Sequence, residues 1–123
     1  MSSPAIDDLS RLVDADPRLV HRGRRLSTSF LLEVGPDAHL VHVVDGHVAS
    51  VEHGPFSMPT WTFALRAPAD AWAAFWSPHP PPGRHDLFAM VKDGALRVEG
   101  DLHPFMSNLL YFKGVLGSLR AAS

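Results

Sequence analysis

Residues 26–53 read LSTSFLLEVGPDAHLVHVVDGHVASVEH, and the alternation within them decides the fold. Leu26, Thr28, Phe30, Leu32 and Val34 take every second position, separated by Ser27, Ser29, Leu31 and Glu33. Successive side chains of an extended chain point to opposite faces, so this run predicts a strand. Gly35-Pro36-Asp37 follows as a turn signal. Residues 38–44 and 47–53 then flank Asp45-Gly46, a dipeptide that tolerates the positive backbone angles of a two-residue hairpin turn. That turn predicts Val44 opposite His47, His42 opposite Ala49, and His39 facing Glu52. Gly54-Pro55 ends the hairpin, and Trp61, Phe63 and Leu65 alternate again in a fourth strand.

Outward from these strands the period becomes helical. Pro68 suits a first helical position and Asp70 a first turn, and behind them Trp72, Phe75 and Trp76 form an apolar stripe. Residues 77–83, SPHPPPG, read as a stiff polyproline-like loop. A second short helix over about Asp86 to Lys92 stops at Asp93-Gly94, and Leu96 and Val98 mark a fifth strand closed by Gly100. A last helix over 103–120 carries Phe105, Leu109, Phe112, Leu116 and Leu119 at steps of four and three, with Met106 and Leu110 widening the stripe. Upstream, Ile6, Leu9, Leu12 and Val13 recur at helical spacing until Asp16-Pro17 breaks the pattern. The predicted order is a helical lead-in (1–25), four strands (26–66), two short helices (67–93), a strand (95–99) and a helix (103–120). Segregated strands and helices of this kind predict an α+β fold, a five-stranded and mostly antiparallel sheet with helices on one face.

Length and composition bound the rest. A chain of 123 residues, 46% hydrophobic and 20% charged, is expected to build one domain around one core. The absence of cysteine excludes disulfides and every cysteine-ligated metal site. No apolar run reaches membrane-spanning length and no leader pattern is recognisable, so the expected compartment is cytoplasmic, with no stable membrane anchor. A formal net charge of −2 argues against a dedicated nucleic-acid binder.

Residues Phe88 to Asp101, FAMVKDGALRVEGD, resemble the late signature of the sterol carrier protein 2 family. That signature is a short helix, a glycine turn, an alternating strand and a Gly-Asp before the final helix. Val43-Val44-Asp45-Gly46-His47-Val48 is similar to the family's central hairpin, and Trp61 to Leu65 followed by Asp70 to its fourth strand and next helix. The resemblance covers residues 26–120 with the element order agreeing throughout. It implies an apolar tunnel between sheet and helices for lipids, sterols or acyl chains. Two segments depart from it: Asp16-Pro17 interrupts what is usually one long helix, and residues 77–83 replace a more ordinary connection. Both lie near the implied tunnel, so the type of ligand does not carry over.

On that implication Trp61 and Phe63 would floor the tunnel, and Trp72, Phe75, Trp76, Phe88 and Met90 would wall it. Met106, Leu109, Leu110 and Phe112 would roof it. The function that follows is non-catalytic carriage of a hydrophobic small molecule, with no cofactor. The same stripe equally serves plain packing, and then the domain reads as an accessory module that docks a partner enzyme or forms a homodimer. A third reading is a small enzyme using His85, His103 and Asp101 as acid and base. Ser107 and Ser118 lack the glycine-flanked elbow of a serine nucleophile. Of the eight histidines, His42 and His47 share a sheet face, which falls short of the three ligands a zinc site takes, so no metal is expected. Arg18 to Arg25 fit either an anionic group or a solvated face. Gly114 and Gly117, which weaken the last helix, fit a pliable lid, a close approach or a frayed end.

Overall fold

The alternating residues become β1 (Thr28–Val34), β2 (Asp37–Val44) and β3 (His47–His53), joined later by β4 (Phe63–Ala67) and β5 (Arg97–Gly100). The protein is seen in a computed structural model that describes residues 6–56 and 60–120. Residues 1–5 of the predicted lead-in, 57–59 of the strand region and 121–123 of the domain lie outside the described residues. The sheet order is β3-β2-β1-β4-β5. All neighbours are antiparallel except β1 and β4, which run parallel. Strands β3 and β4 therefore point the same way, and the connection between them has to return along the sheet before β4 can start beside β1.

Phe30, Leu32 and Val34 face the core together with Val41, Val43, Val48, Phe63, Leu65 and Ala67. The opposite face is polar at one end, where Arg66 bridges Glu33 (2.5 Å) and Glu99 (2.8 Å). Leu40, Leu31 and Ala64, register neighbours in that order, form a buried row on the same face.

The hairpin register follows the prediction only next to the turn. Val44 pairs with His47, but a bulge between His42 and Val43 then moves His42 opposite Ser50, not Ala49, and His39 opposite His53, not Glu52. The bulge has a packing cause. Without it Val41, which is fully buried, would face Ser50; with it Val41 pairs with Val51, which packs on the core.

Short helices cover the core face: α1 (Leu9–Asp14), α2 (Pro17–Arg22), α3 (Ala69–Phe75), α4 (Leu87–Lys92), α5 (Leu102–Ser107) and α6 (Leu109–Gly117). A 3-10 turn at Ile6–Asp8 leads into α1. The predicted break at Asp16-Pro17 is also a start, since the Asp16 carboxylate accepts the Leu19 N–H (3.3 Å) and Pro17 opens α2. Asp86 and Asp101 cap α4 and α5 in the same manner. The expected single last helix is two. Asn108 Nδ2 donates to the Pro104 carbonyl (2.9 Å), diverting an acceptor from the helical ladder, and its backbone leaves the helical region at ψ 33°.

Helix α1 lies close on β3, where Ser10 Oγ donates to the Val48 carbonyl (2.7 Å). The hairpin turn is clasped from two sides. Gly46 N–H donates to the Leu26 carbonyl (3.1 Å), and the buried Tyr111 hydroxyl on α6 donates to the Gly46 carbonyl (2.7 Å). Burial, with the Asp14 carboxylate adding to it, pushes the Tyr111 phenol up to about 12. Because its folded value lies above the unfolded one, its contribution to stability is complete below about pH 10 and is lost as pH rises through about 12. Tyr111 is the chain's single tyrosine, so phenolate absorbance reports it alone. Alkaline titration of the folded protein is expected to show no phenolate step near pH 10. A step there would mean an exposed hydroxyl.

Candidate functional site

Between sheet and helices lies an aromatic layer made of two groups of rings within one core. Phe30 and Phe63, neighbours across β1 and β4, stack with centroids 5.3 Å apart. Phe112 of α6 sits edge-on to both, at 5.5 and 5.2 Å. Phe105 of α5 closes the group 5.6 Å from Phe63 and 5.7 Å from Phe112. A second group hangs from α3: Trp72 stacks on Trp76 at 5.2 Å, with Phe75 edge-on to Trp72 at 5.8 Å. Each indole N–H is satisfied, Trp72 by the Glu33 carbonyl and Trp76 by the Leu116 carbonyl, both at 2.9 Å. These bonds fix ring orientation while leaving the faces apolar.

The structure brings together Phe63, Trp72, Phe75, Trp76, Met90 and Phe112, all buried in one core. Leu109 is half-buried at its border. The other expected lining residues stand elsewhere. Trp61 precedes β4, so strand alternation does not govern it, and its ring lies 5.9 Å from the Arg66 guanidinium, which pairs on the polar sheet face. Phe88, Met106 and Leu110 are 39%, 50% and 61% exposed on the helices' outer surface. The layer also includes Phe30, Phe105 and Tyr111, which are not among the expected lining residues. Phe30 has the inward parity of β1 and Phe105 the stripe spacing of Phe112, so their signal was present.

His85, His103 and Asp101 do not form an acid–base group among the described residues. Asp101 accepts the His103 backbone N–H (3.2 Å) as a helix cap. The His103 ring lies side-on to Ser107 Oγ, its two nitrogens 3.3 and 3.2 Å away, and no carboxylate orients it. His85 meets neither of them in a hydrogen bond.

The sheet histidines are tied to carboxylates instead. His42 bonds Ser29 (2.7 Å) and Glu52 (2.6 Å), His47 bonds Asp14 (2.8 Å), and His53 bonds Asp7. His39 Nδ1 lies 2.7 Å from His53 Nδ1. No group of three or more potential ligands is placed to hold a metal ion among the described residues. Burial, and then the neighbouring His53, hold His39 below the usual imidazole range. A lowered folded value stabilises above the unfolded value and loses that contribution as pH falls through the folded one. Stability is therefore expected to drop as pH falls below about 6.5, and His39→Gln to flatten that drop in urea titrations at successive pH values. An unchanged slope would remove His39 as the cause.

No described helix is long and apolar enough to cross a membrane. A five-stranded sheet of this order with helices on its core face is an α+β fold, and it is the fold of solved sterol carrier protein 2 structures. The chain is similar to a crystal structure of sterol carrier protein 2, with a TM-score of 0.77 at 12% identity over 96% of this chain and 95% of that one. It is similar also to UbiJ-SCP2, a ubiquinone synthesis protein (TM-score 0.58, 18% identity, 90% and 84% covered). Palmitated SCP2L2 from Aedes aegypti gives a TM-score of 0.55 at 16% identity, with 87% of each chain covered. No protein-family model and no curated protein matches the sequence. At these identities the likeness is one of fold.

Proposed function

We propose that this domain binds a hydrophobic small molecule, with a lipid, acyl chain or sterol-like body, between sheet and helices, and carries it without transforming it. The observation that supports this reading is the aromatic layer itself. Its outer wall is a set of short helices interrupted at Asp16-Pro17 and Asn108, and on this reading it is these separate segments that part to admit the ligand. Affinity would come from apolar burial, at about 25 cal/mol per Å², and the buried Met90 supplies an adaptable side chain. Trp72 and Trp76 lie inside the layer and Trp61 outside it, so a Trp61→Phe variant leaves the interior tryptophans as reporters. Native mass spectrometry of freshly purified protein, with fluorescence titration of that variant by fatty acyl and sterol ligands, tests the proposal. Bound lipid or saturable quenching is expected, and the absence of both overturns it.

A second reading draws on the outer surface. Phe88, Leu102, Met106 and Leu110 stand exposed on α4, α5 and α6, more apolar surface than these short helices need for packing. An accessory module docking an enzyme or a second copy would cover them. Mass measurement by light scattering, with Leu110→Glu as control, discriminates: a wild-type monomer that captures no partner counts against this reading.

A further inference from the structure

We propose that the groove between α4 and α6 is the mouth of the binding layer, and that Arg120 holds the anionic head of an amphiphile whose apolar tail runs inward past Phe75. This rests on the carrier reading and deepens it, replacing "hydrophobic small molecule" with a carboxylate- or phosphate-headed chain.

The groove measures about 310 Å³ and lies where the end of α3 meets α4 and α6. Phe75 forms its floor, only 2% exposed, and its ring is 5.8 Å from Trp72 and 6.5 Å from Trp76. One side chain thus separates the groove from the interior tryptophans. Helix α6 presents glycines to it. A Cβ at Gly114 would lie 2.6 Å from Leu19 Cδ1 of α2, which would have to give way, whereas a Cβ at Gly117 would meet nothing within 4 Å among the described residues. The space beside Gly117 is open.

The groove's charges do not cancel. Asp86 and Lys113 pair at 2.8 Å, and Asp86 also accepts the Phe88 N–H. The Arg120 guanidinium lies 4.8 Å from the Phe75 ring centroid and, among the described residues, bonds two backbone carbonyls, Phe75 through Nε (2.8 Å) and His85 through a terminal nitrogen (3.4 Å). It has no carboxylate partner among the described residues. Capping α3 accounts for the Nε bond, at the negative end of that helix. It leaves most of the five N–H donors unused, in the fork geometry that matches carboxylate or phosphate oxygens. An anionic head at Arg120 and a tail against Phe75 would satisfy both features together.

The test uses a fluorescent long-chain fatty acid as probe, displaced by the acid, the alkyl phosphate and the alcohol of one chain length. Wild-type protein is expected to prefer an anionic head over the alcohol by roughly tenfold, about 1.4 kcal/mol, and the two acids' ranking separates carboxylate from phosphate. Arg120→Gln is expected to abolish the preference, so that acid and alcohol bind the variant equally. Should Arg120→Gln unfold through loss of the α3 cap, Gly117→Glu places a negative charge in the open space and is expected to weaken the acids alone. Equal binding of acid and alcohol by wild type, or a preference that survives both variants, overturns the proposal while the carrier reading stands. Binding of none of the probes overturns the proposal, and the carrier reading then stands or falls on the sterol titration and native mass spectrometry.

Discussion

Replacing Gly46 by alanine is expected to lower stability by roughly 2–5 kcal/mol, a large part of the 5–15 kcal/mol or so that holds a typical domain. The residue has φ +84°, where an L side chain is strained, and the space beside it is already filled by backbone. A Cβ would stand 2.5 Å from the Val20 carbonyl oxygen and 2.8 and 2.9 Å from the Gly23 carbonyl carbon and oxygen. None of these atoms can swing aside as the end of a side chain can. Moving the turn away would also cost its bonds to Leu26 and Tyr111. Gly94 is the matched control, with φ +86° but nothing within 4 Å of an added Cβ. Gly94→Ala is expected to cost only the strain, about 1–2 kcal/mol. Urea midpoints of the two variants measure the difference. Equal losses would show that the α2 end does not press on the hairpin turn.

The turn at Asp45-Gly46 is legible in the sequence because backbone sterics act within two residues, and so are the helix starts at Asp86 and Asp101, where an aspartate meets its own helix. Asp16-Pro17 is legible as a break, and its second role, opening α2, is not. What else escaped was decided at longer range. The bulge next to His42 exists so that Val41 meets Val51, a contact that cannot be weighed before the sheet is assembled. The parallel pairing of β1 with β4 depends on where β3 ends up, not on the residues of either strand. Asn108 breaks the last helix by a local bond, yet the heptad-like apolar spacing around it masks the effect. For the site, the inward parity of Phe63 and the stripe of Trp72, Phe75, Trp76 and Phe112 placed those rings together. The same logic failed for Trp61, which lies outside the strand it was assigned to, and for Met106 and Leu110, which broaden a stripe that the core fills without them. Arg120 carried no signal at all, because its role comes from carbonyls of Phe75 and His85, remote in sequence.

Phe112→Ala is expected to cost about 3–5 kcal/mol in the ligand-free protein. Phe112 is fully buried and touches Phe30, Phe63, Phe105 and Tyr111, rings supplied by sheet and helices alike. Strands β1 and β4 cannot close around the space it leaves, since their hydrogen bonds set their spacing. Leu110→Ala, two positions away but 61% exposed, is expected to change stability by no more than about 0.5 kcal/mol. The informative quantity is the response to ligand. A ligand at one hundred times its dissociation constant stabilises by about 2.7 kcal/mol. In wild type, part of the contact energy must first part rings that already pack on one another. In Phe112→Ala that space is open beforehand, so an acyl ligand that occupies the layer should bind more tightly and restore more stability than it gives wild type. A ligand seated anywhere else would stabilise both proteins by the same amount. Urea titrations of both proteins, with and without saturating ligand, therefore separate a filled core from a core that is also a binding site.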